Sequence, residues 1–317
     1  MRIAVTLCLA CQLLLGQGGI SLVGAGYVNP VPVRVAPGQV TTFFLTGLQT
    51  VLPPPARAER APSVPLPVSL AGISATITQS GPGTSYLVPL LSVEQLNTCD
   101  DPAAVTPDCM LTAVTLQVPF ELKPRNPLLM SPIDLIGTTR ITFQENGAPS
   151  RSFALSPVMD SVRVLTNCGN ARTDDSGSLP CQSLVTHADG SLVSSYWQPA
   201  KPGEELVIYA YGLGSTTSEA PSGQAAPWGI LASPVRIDLD FRPNAGISRA
   251  PYGAPVKDQP TYVGLAAGLV GVYQINFRVP QPPAGTPACG AGVDSNLTVT
   301  IQGFQSYDGA KLCVDTQ

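Results

Sequence analysis

The chain has 317 residues, of which 12% are charged, 6% aromatic and 44% apolar, with 30 glycines, 33 prolines and a formal net charge of −4. Proline and glycine at that density break helix interiors and favour short strands joined by turns, while the apolar fraction supplies the buried surface that a disordered chain lacks. The mild acidity, without a run of lysine or arginine, leaves no footprint for a phosphate backbone and argues against nucleic acid as a partner.

In chain order, Met1-Arg2 gives a small positive start, residues 3–15 are apolar and small residues follow, which is the pattern of a secretory signal peptide. The apolar run is shorter than the ~20 residues a membrane span needs. The expectation is a signal over 1–25, cut after Gly18 or after Ala25, with Val23-Gly24-Ala25 the better fit to the small-residue rule. Cys11 after Leu9-Ala10 hints at a lipoprotein, but Cys8 stands where a leucine is usual. No later stretch is apolar and long enough to cross a membrane, so the protein is expected to be secreted, periplasmic or at the cell surface, with no transmembrane segment once the signal is gone.

Residues 27–166 are expected to form a first β-sandwich, with strands near 40–45, 68–70, 75–78, 86–93, 111–118, 139–144, 152–155 and 163–165. Residues 167–183 are polar, contain Asp174-Asp175-Ser176-Gly177 and lie between Cys168 and Cys181, which marks a disulfide-closed linker. Residues 184–317 are expected to form a second sandwich. It opens with a hairpin of 184–186 and 192–194 around Asp189-Gly190, and continues with strands near 206–210, 235–240, 262–265, 271–279, 296–301 and 311–314.

The two sandwiches read as one module written twice. Pro37-Gly38-Gln39-Val40-Thr41-Thr42-Phe43-Phe44-Leu45-Thr46-Gly47-Leu48 is answered by Pro202-Gly203-Glu204-Glu205-Leu206-Val207-Ile208-Tyr209-Ala210-Tyr211-Gly212-Leu213, an offset of 202 − 37 = 165. Pro67 and Pro234 begin a second matched pair at 234 − 67 = 167, and Pro119 and Pro280 end a third at 280 − 119 = 161. A period that long describes two whole domains, not the stacked short repeats of a solenoid.

With the signal removed, six cysteines remain in a compartment where disulfides persist. Six allow 15 pairings, and proximity along the chain selects Cys99–Cys109, Cys168–Cys181 and Cys289–Cys313. Zinc is disfavoured, because no Cys-x-x-Cys spacing exists among these six and His187 is the sole histidine. No metal or other cofactor is expected.

Catalytic motifs are missing: there is no Gly-x-Ser-x-Gly and no His-Glu-x-x-His. A Ser-His-Asp device would have to use His187, which lies beside the Asp189 turn and is expected to be solvated. Asp238 and Asp240 share a strand face by the period-2 rule and are the carboxylate pair a glycosidase reading would need. The plainer reading makes them a solvent-facing row opposite Ile237, Leu239 and Phe241. Asp174, Asp175 and Ser176 lack the spacing of a calcium loop, and Gly264 to Gly271 lacks the Lys-Ser/Thr ending of a phosphate loop. Asn296-Leu297-Thr298 is a glycosylation sequon in a strand context. Trp197, Tyr211 and Trp228 are the candidate ligand-binding aromatics, with Tyr196 and Tyr209 nearby, since rings on a sandwich surface stack on sugars.

Several motifs in the second unit resemble a known family: Ala188-Asp189-Gly190-Ser191, Pro199-Ala200-Lys201-Pro202-Gly203-Glu204, Ile208-Tyr209-Ala210-Tyr211-Gly212-Leu213-Gly214, Ser222-Gly223-Gln224-Ala225-Ala226-Pro227, and Gly264 through Asn276 with Val279-Pro280. This part of the chain is similar to the uncharacterised C-terminal domain family of acidobacterial (Solibacter-type) secreted proteins, strongly over 184–301 and more weakly over 27–165. The resemblance implies an exported immunoglobulin-like (TIG-like) β module, often appended to other secreted domains, and carries over no catalytic residue. This chain departs from the family pattern in its long stretch 242–260 and its cysteines. The expectation is an all-β protein of two tandem immunoglobulin-like (TIG-like) β-sandwich domains, non-enzymatic, with a binding or structural role outside the cell toward an extracellular glycan or protein. The alternative is a secreted carbohydrate-active protein, either a sugar-binding module or a hydrolase using loop carboxylates.

Overall fold

The computed structural model describes residues 21–25, 33–54, 56–101, 104–125, 128, 138–148, 152–167, 182–193, 197–218, 220–244, 256–290 and 292–316, with the backbone alone at 21–25 and 256–258. Among them the protein is all-β, with one 3-10 turn at Pro107–Cys109 and no α-helix. The N-terminal half holds β1 (Ser21–Ala25), β2 (Val33–Val35), β3 (Val40–Thr46), β4 (Ala58–Arg60), β5 (Ser69–Leu70) and β6 (Ile73–Gln79). It continues with β7 (Thr84–Leu87), β8 (Leu90–Asn97), β9 (Met110–Gln117), β10 (Thr139–Glu145) and β11 (Ser152–Pro157). The C-terminal half holds β12 (Arg163–Val164), β13 (Val185–His187), β14 (Glu205–Tyr211), β15 (Arg236–Asp240) and β16 (Val256–Asp258). Its remaining strands are β17 (Tyr262–Leu265), β18 (Tyr273–Arg278), β19 (Leu297–Gln302) and β20 (Tyr307–Leu312).

These strands form four sheets, in the orders β1-β3-β9-β8-β4, β2-β11-β10-β6-β5 with β7 on β6, β12-β14-β18-β17 with β13 on β14, and β16-β15-β19-β20. Alternation decides which side chains meet between them: Ile73, Ala75 and Ile77 of β6 are buried and their neighbours are not, as a strand with one covered face requires. Phe43 and Phe143 join the first two sheets edge to face at 5.4 Å between centroids. One apolar cluster runs from Val33 to Leu155 and a second from Val162 to Val314. Each half therefore has its own pair of sheets around its own core.

The turns that precede β3 and β14 are closed by the same bonds. The Gly38 N–H donates to the Val118 carbonyl and the Gly203 N–H to the Val279 carbonyl, at 3.0 and 2.8 Å. Val118 N–H donates to Gln39 and Val279 N–H to Glu204 at 2.8 and 2.9 Å. The Gln39 Oε1 closes its turn by accepting from the Ala36 N–H, as Glu204 Oε1 does from Lys201, at 2.8 and 2.5 Å. Gly38 and Gly203 take φ of +71° and +84°, the left-handed region that a Cβ disfavours. Further along, a parallel pairing joins Val35 to Pro157 and another joins Ala200 to Val314.

Several strand expectations are corrected. The run near 86–93 is two strands in different sheets, because Pro89 has no N–H to extend one ladder and the chain crosses over there. The last strand is Tyr307–Leu312, earlier than the expected 311–314, since pairing with β19 outweighs the poor strand propensity of Asp308 and Gly309. Residues 163–165 were expected to close the first sandwich. Instead β12 pairs with β14, and Val162 and Val164 join the C-terminal core. The three-residue edge strands β4 and β16 carry charges and show no apolar alternation in sequence.

Candidate functional site

The two halves meet along a seam dense in polar contacts, part of it where the first hands over to the second. Asp160, 4% exposed, accepts from the backbone N–H groups of Phe304, Gln305 and Ser306 and from the Ser306 hydroxyl. In return, the Met159 N–H donates to Gln305 Oε1 and the Val162 N–H to Ser306 Oγ, both at 2.8 Å. A carboxylate bonded to several backbone N–H groups is among the stronger neutral-to-ion contacts available to a buried loop. The strap 159–164 also crosses close over the Gly212-Leu213-Gly214 motif. Ser161 N–H donates to the Gly212 carbonyl at 2.7 Å, and a Cβ on Gly212 or Gly214 would overlap the carbonyl oxygen of Ser161 or Met159.

On the other side of the seam, Gln117, fully buried on β9, accepts from the Gly223 N–H at 2.6 Å. Leu66 N–H donates to the Gly223 carbonyl at 2.7 Å. The Ser222 hydroxyl accepts from the Phe120 N–H at 2.8 Å and donates to Glu121 Oε2 at 2.7 Å. Beside this contact opens a cleft of about 680 Å³, lined by Phe120 and Glu121 from the first half and by Ser215, Thr216, Thr217, Ser218, Ala220 and Pro221 from the second. Thr216 donates to the Ser218 carbonyl at 2.6 Å and Thr217 to the Leu231 carbonyl at 3.2 Å. Their hydroxyl lone pairs, together with the Glu121 carboxylate, make the cleft wall rich in acceptors. Such a wall suits a ligand that brings its own hydroxyl donors, and seams between units are where such clefts form.

The sequence-derived candidates lie elsewhere and apart. Trp197 and Trp228 are 88% and 81% exposed. They stand beyond opposite ends of β14: the Trp197 loop reaches His187 through Gln198, opposite Leu206, whereas the Trp228 loop is bonded to Leu265 and Leu269 near Tyr273, opposite Ala210. They do not make one aromatic platform. Tyr211 is half-buried, and burial pushes its phenol up, which removes it from the exposed set. Tyr196 lies outside the described residues.

His187 is not solvated as expected. Its Nδ1 lies 3.2 Å from Glu204 and its Nε2 3.3 Å from the Gln198 carbonyl, so both ring nitrogens already face acceptors and neither is left for a nucleophile. Asp189 is held below the usual carboxylate range mainly by the Ser191 hydroxyl. Asp238 also departs from the solvent-facing reading. It is 2% exposed, accepts from Gln302 Nε2, and has Oδ1 3.8 Å from the Arg236 guanidinium. Asp240 pairs with Arg242. Asp238 is thus closed to a glycosidic bond, and the Asp240 carboxylate is engaged by the Arg242 guanidinium. Asn296 of the sequon is fully buried, with its amide donating to the Val314 carbonyl at 2.8 Å, which closes it to a glycosylating enzyme in the folded chain.

Cys99–Cys109 and Cys289–Cys313 are disulfides, with Cα separations of 4.9 and 6.1 Å. Their persistence fits an oxidising compartment. Cys168, Cys181 and Asp174-Asp175-Ser176 lie outside the described residues. Among the described residues no group of three His, Cys, Asp or Glu side chains is placed to hold a metal ion, and no helix is long and apolar enough to cross a membrane.

The seam residues escaped sequence reasoning, although two signals were present: paired glycines within Gly212-Leu213-Gly214, and a glutamine, Gln117, at the end of the β-prone run 110–117. Comparison with known proteins adds little. No family model matches the chain, and no curated protein matches it. Among solved structures the chain is similar to FdeC, an Escherichia coli adhesin, at 12% identity, covering 94% of this chain and 64% of that one with a TM-score of 0.22. The chain thus spans less than two thirds of that structure's length, and the sheet topology above, not this likeness, carries the description of the fold.

Proposed function

We propose that the protein is an exported, non-enzymatic binding protein of two immunoglobulin-like (TIG-like) sandwich units, and that it holds an extracellular glycan in the cleft at their seam. The observation that carries this reading is the cleft itself, which is lined by Phe120 and Glu121 from the first half and by Ser215, Thr216, Thr217 and Ser218 from the second, beside a junction held by direct hydrogen bonds. Sugars bring many hydroxyl donors and one apolar face, which is the chemistry this wall complements. The matched bonds at 36–39 and 201–204 support the two-unit reading. The signal-like first residues, the disulfides and the likeness to acidobacterial secreted modules support export.

A glycan array with the purified protein tests it. Binding is expected in the parent protein and is expected to fall at least about tenfold in Glu121→Gln, as loss of a charged hydrogen-bond acceptor predicts, with Trp228→Ala unchanged. Binding lost in Trp228→Ala but kept in Glu121→Gln would move the site to the exposed indole. Turnover of a polysaccharide would overturn the non-enzymatic reading.

A further inference from the structure

We propose that Ser21–Ala25 belongs to the mature protein, and that the leader is removed on the N-terminal side of Ser21, after Gly18 and not after Ala25. The inference rests on the export reading above. It comes from register. β1 fills the edge beside β3, with Ser21 opposite Thr46, Leu22 opposite Leu45, Gly24 opposite Phe44 and Ala25 opposite Phe43. Beside β14 the corresponding edge is also filled: Arg163 is opposite Tyr211, Val164 opposite Ala210, and Val185 of β13 opposite Ile208. Moved back by the 165 residues between the repeated strands, Tyr211, Ala210 and Ile208 fall on Thr46, Leu45 and Phe43.

The same positions of the repeated strand are therefore covered in both halves, by β12 and β13 in one and by β1 in the other. Cleavage after Ala25 would strip the cover from one half alone. It would bare the backbone of Phe43 to Thr46, a strand whose Phe43 and Leu45 are fully buried, and an open apolar edge of that kind recruits strands from other chains. Cleavage after Gly18 satisfies the small-residue rule as well and leaves the edge sealed.

The test has two arms. The full-length chain is exported from a bacterial host and the recovered protein is weighed intact. An N-terminus at Gly19 is expected, and one at Ile20 or later overturns the proposal. Independently, forms beginning at Ser21 and at Gly26 are compared by amide hydrogen exchange and by size. The shorter form is expected to lose protection at Phe43 to Thr46 at least about tenfold and to self-associate. Equal protection in the two forms overturns the role given to β1, even if the chain proves to be retained uncut in the cytoplasm, a result that would defeat the export reading alone.

Discussion

The turn at 36–39 and the turn at 201–204 are closed by the same hydrogen bonds, yet they stand in different surroundings. Gly38 lies against the Phe120 ring, where a Cβ would overlap it, while a Cβ on Gly203 would meet nothing within 4 Å. Gln39 is 5% exposed, whereas the Glu204 side chain is 25% exposed and shares its other oxygen with His187. Local sequence sets the turn in both places. Position relative to the seam decides how much each residue matters.

The largest effect is expected from breaking the seam itself. Asp160→Ala leaves the N–H groups of Phe304, Gln305 and Ser306 without their carboxylate and should lower the unfolding free energy by about 3–5 kcal/mol in urea melts, as for other buried charges whose network is cut. An unchanged midpoint would show that the halves do not depend on this strap. Next comes the paired test of the turns. Gly38→Ala should cost about 3 kcal/mol, combining left-handed backbone with overpacking against Phe120, and Gly203→Ala about 1–2 kcal/mol from backbone alone. Equal losses would refute the role given to the seam.

Side chains sharpen the same contrast. Gln39→Ala should cost about 1–3 kcal/mol because it leaves the buried Ala36 N–H unpaired, and Glu204→Ala about 1 kcal/mol at its wetter turn. The smallest effect concerns acidity at the C-terminal end of the seam, where burial raises the Asp308 carboxyl against the opposing pull of Arg163. The folded chain keeps that proton to higher pH than the unfolded chain does, so this contribution to stability is present below the ordinary value of 3.8 and is lost as pH rises through the raised one. Asp308→Asn retains an oxygen for the Val164 N–H, which Asp308 accepts at 3.0 Å, and is expected to flatten that decline in urea melts taken across acidic to neutral pH.

Much of the fold could be read from the chain because its signals are local. Pro-Gly turns, period-2 runs such as 73–79 and paired cysteines ten residues apart constrain backbone within a short window. Asp238 shows where such reading stops. Strand periodicity places it opposite Ile237 and Leu239 and on the face of Arg236, but does not say that Gln302, from another strand, covers it. The cleft escaped for the same reason, since Phe120 and Ser215 are far apart in sequence and meet only through the packing of one half on the other.

By itself, then, the sequence determined an all-β chain, its Pro-Gly turns and two of its disulfide pairings, because backbone sterics and nearest-neighbour geometry act over a few residues. Tertiary structure alone decided that β12 serves the C-terminal sheet, that Gly212 and Gly214 admit the strap, and that Gln117 and Asp160 bind the halves together. Those outcomes depend on which surfaces come to face each other, and pairing across a seam is set by the summed burial and hydrogen bonding of both halves, which no single segment encodes.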